Sequence, residues 1–139
     1  MIEIVLLGKP VAKGRPRFSK ATGRAYTPAT TVKYETMLRY AAEQAMAGRP
    51  PLEGALRLHM HVVVPVPVSW AKKKQAAALA GEIHPVSKPD WDNFGKVVDA
   101  ANLVVWVDDS QVVDGRVTKT YGERPGMWIR VEPIEGVFA

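Results

Sequence analysis

The apolar positions fall into two alternating runs, one helical stretch and one longer stripe, with glycine and proline clusters between them. Residues 2–7 (IEIVLL) have the length and β-branched content of a strand, ended by Gly8 and Pro10. Residues 55–64 alternate, with Leu56, Leu58, Met60 and Val62 on one face and Arg57, His59 and His61 on the other, which predicts a strand with one buried face. A helix is expected over 29–47, introduced by Thr27 and Pro28 and stopped by Gly48, Pro50 and Pro51. A second, shorter helix over 70–80 takes Ser69 as its cap and carries Lys72, Lys73 and Lys74. Residues 111–121 and 127–132 read as two further strands, joined as a hairpin across 122–126. Between the first strand and the first helix, residues 10–28 have no period and many glycines and prolines, so a long exposed loop is expected there. Strands and helices intermixed in 139 residues, without repeat or linker, predict one α/β or α+β domain over 1–139.

The remaining stretch, KPDWDNFGKVVDA at 88–100, brings in the chemistry. Run as a helix over 92–102, it places Phe94, Val97, Val98 and Ala101 on a packing stripe and Asp92, Lys96 and Asp99 on the opposite side. Capping by Asp90 and Asp92 explains acids at a helix start. It does not explain Asp108 and Asp109, which follow an apolar run and stand at the next element boundary. Carboxylates gathered from separate segments repel unless a cation lies between them, and Mg²⁺ suits a shell of few carboxylates completed by water and phosphate oxygens. Asp90, Asp92 and one of Asp108 or Asp109 would make that shell. Lys96 would then stabilise charge on a phosphodiester, where otherwise it is only an i, i+4 partner of Asp92.

Charge sharpens this division. The net charge is +5. Residues 9–24 carry Lys9, Lys13, Arg15, Arg17, Lys20 and Arg24 with no acid, whereas 90–114 carry six aspartates against Lys96 alone. A phosphate-seeking segment is thus set apart from a cation-seeking one. Lys13, Arg15, Arg17, Arg24 and Lys88 are the expected phosphate contacts, with Phe18 and Tyr26 available to stack, and beside an acidic phosphodiester site the reading favours DNA over a merely solvated loop. His59 and His61 lack a third ligand and read as ordinary strand residues, and the four tryptophans as apolar anchors, Trp91 excepted. There is no cysteine, which removes disulfides and thiolate zinc sites. No signal peptide or membrane-length apolar run is apparent, and a cytoplasmic protein with no membrane partner is expected.

The stretch KPDWDNFGKVVDA followed by VDDSQVVDGRVTK resembles the core of the RusA family of Holliday-junction resolvases, many of them of phage or prophage type. The loop GKPVAKGRPRFSKATGRAYTP is similar to the basic N-terminal loop of phage-type members. The resemblance implies an α+β domain with a small mixed sheet packed by helices. It also implies a homodimeric, Mg²⁺-dependent endonuclease, with Mn²⁺ as substitute, that acts in recombination and repair by making paired nicks across branched DNA. By position, Asp90, Asp92 and Asp109 match the metal-binding acids and Lys96 the catalytic lysine, while Asp108 and Asp99 match recurrent acids. The rival functions are a non-catalytic branched-DNA-binding protein and another Mg²⁺-dependent phosphoryl-transfer enzyme.

Overall fold

The computed structural model describes residues 1–135. Its elements are β1 (Ile2–Leu7), β2 (Arg17–Phe18), β3 (Ala25–Tyr26), α1 (Ala29–Met46), β4 (Leu56–Val64), α2 (Lys72–Leu79), α3 (Trp91–Gly95), β5 (Val112–Tyr121) and β6 (Gly126–Pro133). Two 3₁₀ helices, Lys96–Ala101 and Asp109–Gln111, complete the chain. The main sheet has the order β1-β6-β4-β5, with β4 and β5 parallel and the other pairs antiparallel. This is the α+β fold with a small mixed sheet that the family resemblance implies. No helix among the described residues is long and apolar enough to cross a membrane.

The alternation in β1 and β4 does what its period requires. Ile2, Ile4 and Leu6 of β1 and Leu56, Leu58, Met60 and Val62 of β4 all point to one buried face. Register carries the rows across the sheet: Ile4 meets Ile129, which meets Met60, and Leu6 meets Met127, which meets Val62. α1 covers this face with Tyr34, Leu38, Ala42 and Met46, one residue per turn, all buried. The helix ends where glycine was expected to end it, with Ala47 and Gly48 both at positive φ.

Four expectations are corrected. β5 and β6 are not a hairpin: β4, the strand with the cleanest buried face, lies between them and pairs with both. The link between them passes over the end of β4, where Gly122 N–H donates to the Val64 carbonyl at 3.2 Å. A Cβ on Gly122 would stand 2.5 Å from Val63, so the crossing needs a glycine. Residues 10–28 are not without structure, because β2 and β3 pair as a small hairpin, closed by Ser19 N–H donating to the Arg24 carbonyl at 2.9 Å. The second helix starts at Lys72 with Ala71 as its cap residue, and Ser69 lies in the turn before it.

The last correction concerns the helix expected over 92–102. It is α-helical only to Gly95 and then tightens to 3₁₀. At three residues per turn Phe94, Val97 and Ala100 come into line, and all three are buried together with Ala101, while Val98 is only half-buried. Gly95 permits the approach to β5, since a Cβ there would meet Val117 at 3.3 Å.

Candidate active site and nucleic-acid groove

The basic loop leaves β1 and lies down on the start of α1. Gly14 N–H donates to the hydroxyl of Thr31 at 3.0 Å, and Lys13 N–H donates to the Asn93 carbonyl at 2.8 Å. A Cβ on Gly14 would stand 2.9 Å from Pro28, so glycine sets how closely the loop can seat. Beyond this anchor the loop borders a groove of about 1120 Å³. Arg15, Arg17, Lys88 and Lys119 line it together with the ends of β4 and β5, and Asp90 and Asn93 stand in the same wall. Arg24 lies outside the groove, on the exposed turn of the β2–β3 hairpin. Phe18 and Tyr26 are exposed on that hairpin.

Lys13 differs from the other loop cations. Its ammonium stands 3.2 Å from both Glu35 of α1 and Asp99 of the 3₁₀ turn. Burial draws the Lys13 pKa down, and the hydrogen bonds and charges of Glu35 and Asp99 outweigh it, leaving the group above its ordinary value. Lys13 therefore ties the loop to the acidic segment. Arg15, Arg17, Arg24 and Lys88 have no carboxylate partner among the described residues.

The acids fall into two pairs. Asp90 and Asp92 flank Trp91, which is 61% exposed, at the start of α3. Asp90 is the residue before the helix, yet its side chain accepts no capping hydrogen bond, so capping does not account for it. Lys96 stands 3.8 Å from Asp92 and donates to Asn93 Oδ1 at 3.4 Å, with Lys96 and Asp92 both largely exposed. An exposed pair at this distance contributes little to stability.

The second pair is Asp99 and Asp109, brought together by the contact of the two 3₁₀ helices. A hydrogen bond with the Asp99 carboxyl holds Asp109 above its ordinary value, with burial and the charges of Asp99 and Asp108 adding to it. Asp108 is drawn the other way, because its carboxylate accepts from Ser110, which lowers it. Asp108 is a cap in the full sense: the Gln111 side chain returns the contact, accepting from the N–H groups of Asp108 at 3.2 Å and Val107 at 2.9 Å. Gln111 also donates to the carbonyls of Leu52 and Gly54, each at 3.0 Å, which fixes the turn that presents Asp109.

The structure thus brings Asp109 to Asp99, Asp92 to Lys96, and Asp90 to the basic groove. Among the described residues no three Asp, Glu or His side chains stand together as a ready metal cage. The donor chemistry fits Mg²⁺ all the same, since every acid on this surface offers hard oxygen ligands and the Asp99–Asp109 pair is a like-charge contact that a cation relieves. His59 and His61 sit on the opposite face of the sheet, where both hydrogen-bond the Thr118 hydroxyl, at 3.2 and 2.6 Å. Their burial and mutual charge lower the His61 pKa, as for an ordinary half-buried strand pair.

Residues outside the expected set contribute to this surface. Gln111 was readable from its place three residues after Asp108, the spacing of a reciprocal cap. Asn93, Glu35 and Lys119 had no such local signal, because their partners lie far away in sequence.

Comparison with known proteins accords with this geometry. The family described as "Endodeoxyribonuclease RusA" matches residues 8–132, a span that includes the basic loop, both pairs of acids and the main sheet except β1 and the last residue of β6. The chain is also 37% identical over 138 residues to "Uncharacterized protein YqaN" of Bacillus subtilis (strain 168), covering 96% of each. A match of this extent, over a chain that places Asp90 in the wall of a basic groove, is decisive for the family. The chain belongs to the RusA endodeoxyribonucleases, a family of junction-resolving nucleases.

Proposed function

We propose that this endonuclease resolves four-way DNA junctions by paired, Mg²⁺-dependent nicks in recombination and repair, acting as a homodimer. The observation that carries the reading is Asp90, with no capping bond of its own, in the wall of a groove lined by Arg15, Arg17, Lys88 and Lys119. In this reading Arg15, Arg17, Arg24 and Lys88 hold strand phosphates, and Lys13 holds the loop in the position from which they do so. Asp90, Asp92 and Asp109 would hold Mg²⁺, or Mn²⁺ in its place. Such an ion, when bound, lowers the pKa of a water and offsets charge at phosphorus. Lys96, on the surface beside Asp92, supplies a further positive charge to the phosphodiester oxygens as the water oxygen bonds to phosphorus and one strand P–O bond breaks. Asp108 stays a cap that sets the turn, and Asp99 adds a second carboxylate against Asp109 whose repulsion a cation would offset. Two symmetric cuts in a symmetric junction require two centres related by a two-fold axis, hence the dimer.

The test is a labelled four-way junction beside a linear duplex of matched sequence, each with Mg²⁺ or EDTA. Paired nicks in the junction alone, lost in EDTA, are the expected result. Binding without nicking in Mg²⁺ would make the protein a non-catalytic junction binder. Hydrolysis of small phosphate esters with indifference to branching would make it a different phosphoryl-transfer enzyme. A monomeric mass by light scattering at working concentration would count against paired cutting.

A further inference from the structure

Lys119 occupies an unusual place for a lysine. It pairs with Val62 across the β4–β5 ladder, in the row that continues through Met127 to Leu6, and those three side chains are buried. Lys119 is only partly buried, and its ammonium reaches out from that row to exposed partners. It finds two main-chain carbonyls, Ser87 at 3.2 Å and Pro89 at 3.0 Å, and no carboxylate pairs with it among the described residues. These carbonyls flank Lys88 and lead directly into Asp90.

That segment has few other attachments. Pro85 is buried, but every residue from 86 to 90 is exposed. Among the described residues, the two bonds from Lys119 are the hydrogen bonds that join 83–89 to the rest of the chain. Asp90 itself is not held by a capping bond. We infer that Lys119 is a positioning residue for Asp90: its ammonium clamps the two carbonyls on either side of Lys88 and so fixes where the Asp90 carboxylate is delivered. The inference rests on the reading that Asp90 takes part in cleavage. Lys119 also lines the groove, and the alternative to be separated is a direct phosphate contact.

The full-length protein carrying Lys119→Met tests this by hydrogen exchange, junction binding in Ca²⁺ and single-turnover cleavage. Exchange should quicken in peptides covering Asn93 and Phe94, whose N–H groups donate to the Asp90 carbonyl, while β4 and β6 keep their protection. Cleavage should fall about 10–100-fold, the usual loss when a supporting partner of a metal ligand is removed, with junction affinity unchanged. Lys119→Arg, whose guanidinium fork can also reach two carbonyls, should restore both slow exchange and most of the rate. Unchanged exchange at Asn93 and Phe94 would overturn the inference. So would a loss of junction affinity in step with the loss of rate, which would make Lys119 a phosphate contact. If Lys119→Met does not fold, Lys119→Leu, which also removes the donor, is read the same way. Wild-type protein that leaves the junction uncut would defeat the functional reading, and the exchange comparison would still decide whether the clamp exists.

Discussion

β4 and β5 are neighbours in the same sheet, run in parallel, and have been given opposite tasks. β4 is an inner strand with a partner on each side, and its inward positions are Leu58, Met60 and Val62, all buried. Across the ladder, the matching positions of β5 are Gly115, Val117 and Lys119. β5 is an edge strand, so one side of its backbone pairs with no strand in the sheet, and the short α3 lies against it in place of the long α1. The same face of one sheet is therefore a hydrophobic core at β4 and a support for the acidic segment at β5. Stability is concentrated where rows of aliphatic side chains close on α1. Chemistry is placed one strand away, where small and charged side chains leave room for a groove.

Substitutions on the two strands and on the segments they support should separate these tasks. The largest effect is expected for Met60→Ala, at a fully buried position that meets both Ile129 and Val117. It should cost about 2–5 kcal/mol in denaturant unfolding, and a smaller loss would show that the core is less tightly packed around β4 than its burial indicates. Next is Lys96→Met on the α3 side, expected to lower cleavage by about 10²–10³-fold, or roughly 2.7–4 kcal/mol of barrier. Its thermal midpoint should stay close to wild type, because the exposed contact with Asp92 contributes little. A large fall in the midpoint without loss of rate would reverse the assignment of tasks.

Smaller effects are expected in the loop. Arg15→Ala and Arg17→Ala should each reduce the steepness of log affinity against log salt by about one, uniformly across junction sequences. Lys13→Ala should leave that slope unchanged, since its ammonium faces Glu35 and Asp99. An equal slope change for all three would mean that Lys13 leaves its partners to meet DNA.

The smallest effect is a pH dependence. Asp109 is raised in the folded state by its hydrogen bond with Asp99, so the contact favours folding at pH below the ordinary carboxylate range and loses that contribution as pH rises through the folded pKa. In EDTA, Asp109→Asn should therefore raise the thermal midpoint near neutral pH and lose that advantage in acid. A lower midpoint at neutral pH would mean that the pair is not repulsive.

The fold was legible wherever period and burial coincide. Residues 2–7 and 55–64 alternate because each faces a core on one side only, and the span of α1 followed from its flanking proline and glycine. The β5–β6 link was misread because a short glycine-containing turn between two strands is a hairpin signal, and nothing local reveals that β4 will lie between them. The tightening of the helix after Gly95 was hidden for a related reason: Val97 and Ala100 line up only once the backbone has chosen three residues per turn. The candidate acids were legible as residues, and their environments were not. Asp108 and Asp109 are adjacent in sequence but opposite in character, because one faces its own turn and the other faces Asp99, ten residues earlier and on another element. Lys13 and Lys119 show the same limit, as their partners are set by tertiary contacts rather than by the charge run in which each is found.

The central claim is that Asp90, at the end of the basic groove, belongs to a cutting centre. Its most direct test is Asp90→Asn beside wild type on a labelled four-way junction with Mg²⁺. The account predicts paired nicks by wild type, none by Asp90→Asn, and equal junction affinity for the two proteins. Nicking by Asp90→Asn at the wild-type rate would contradict it.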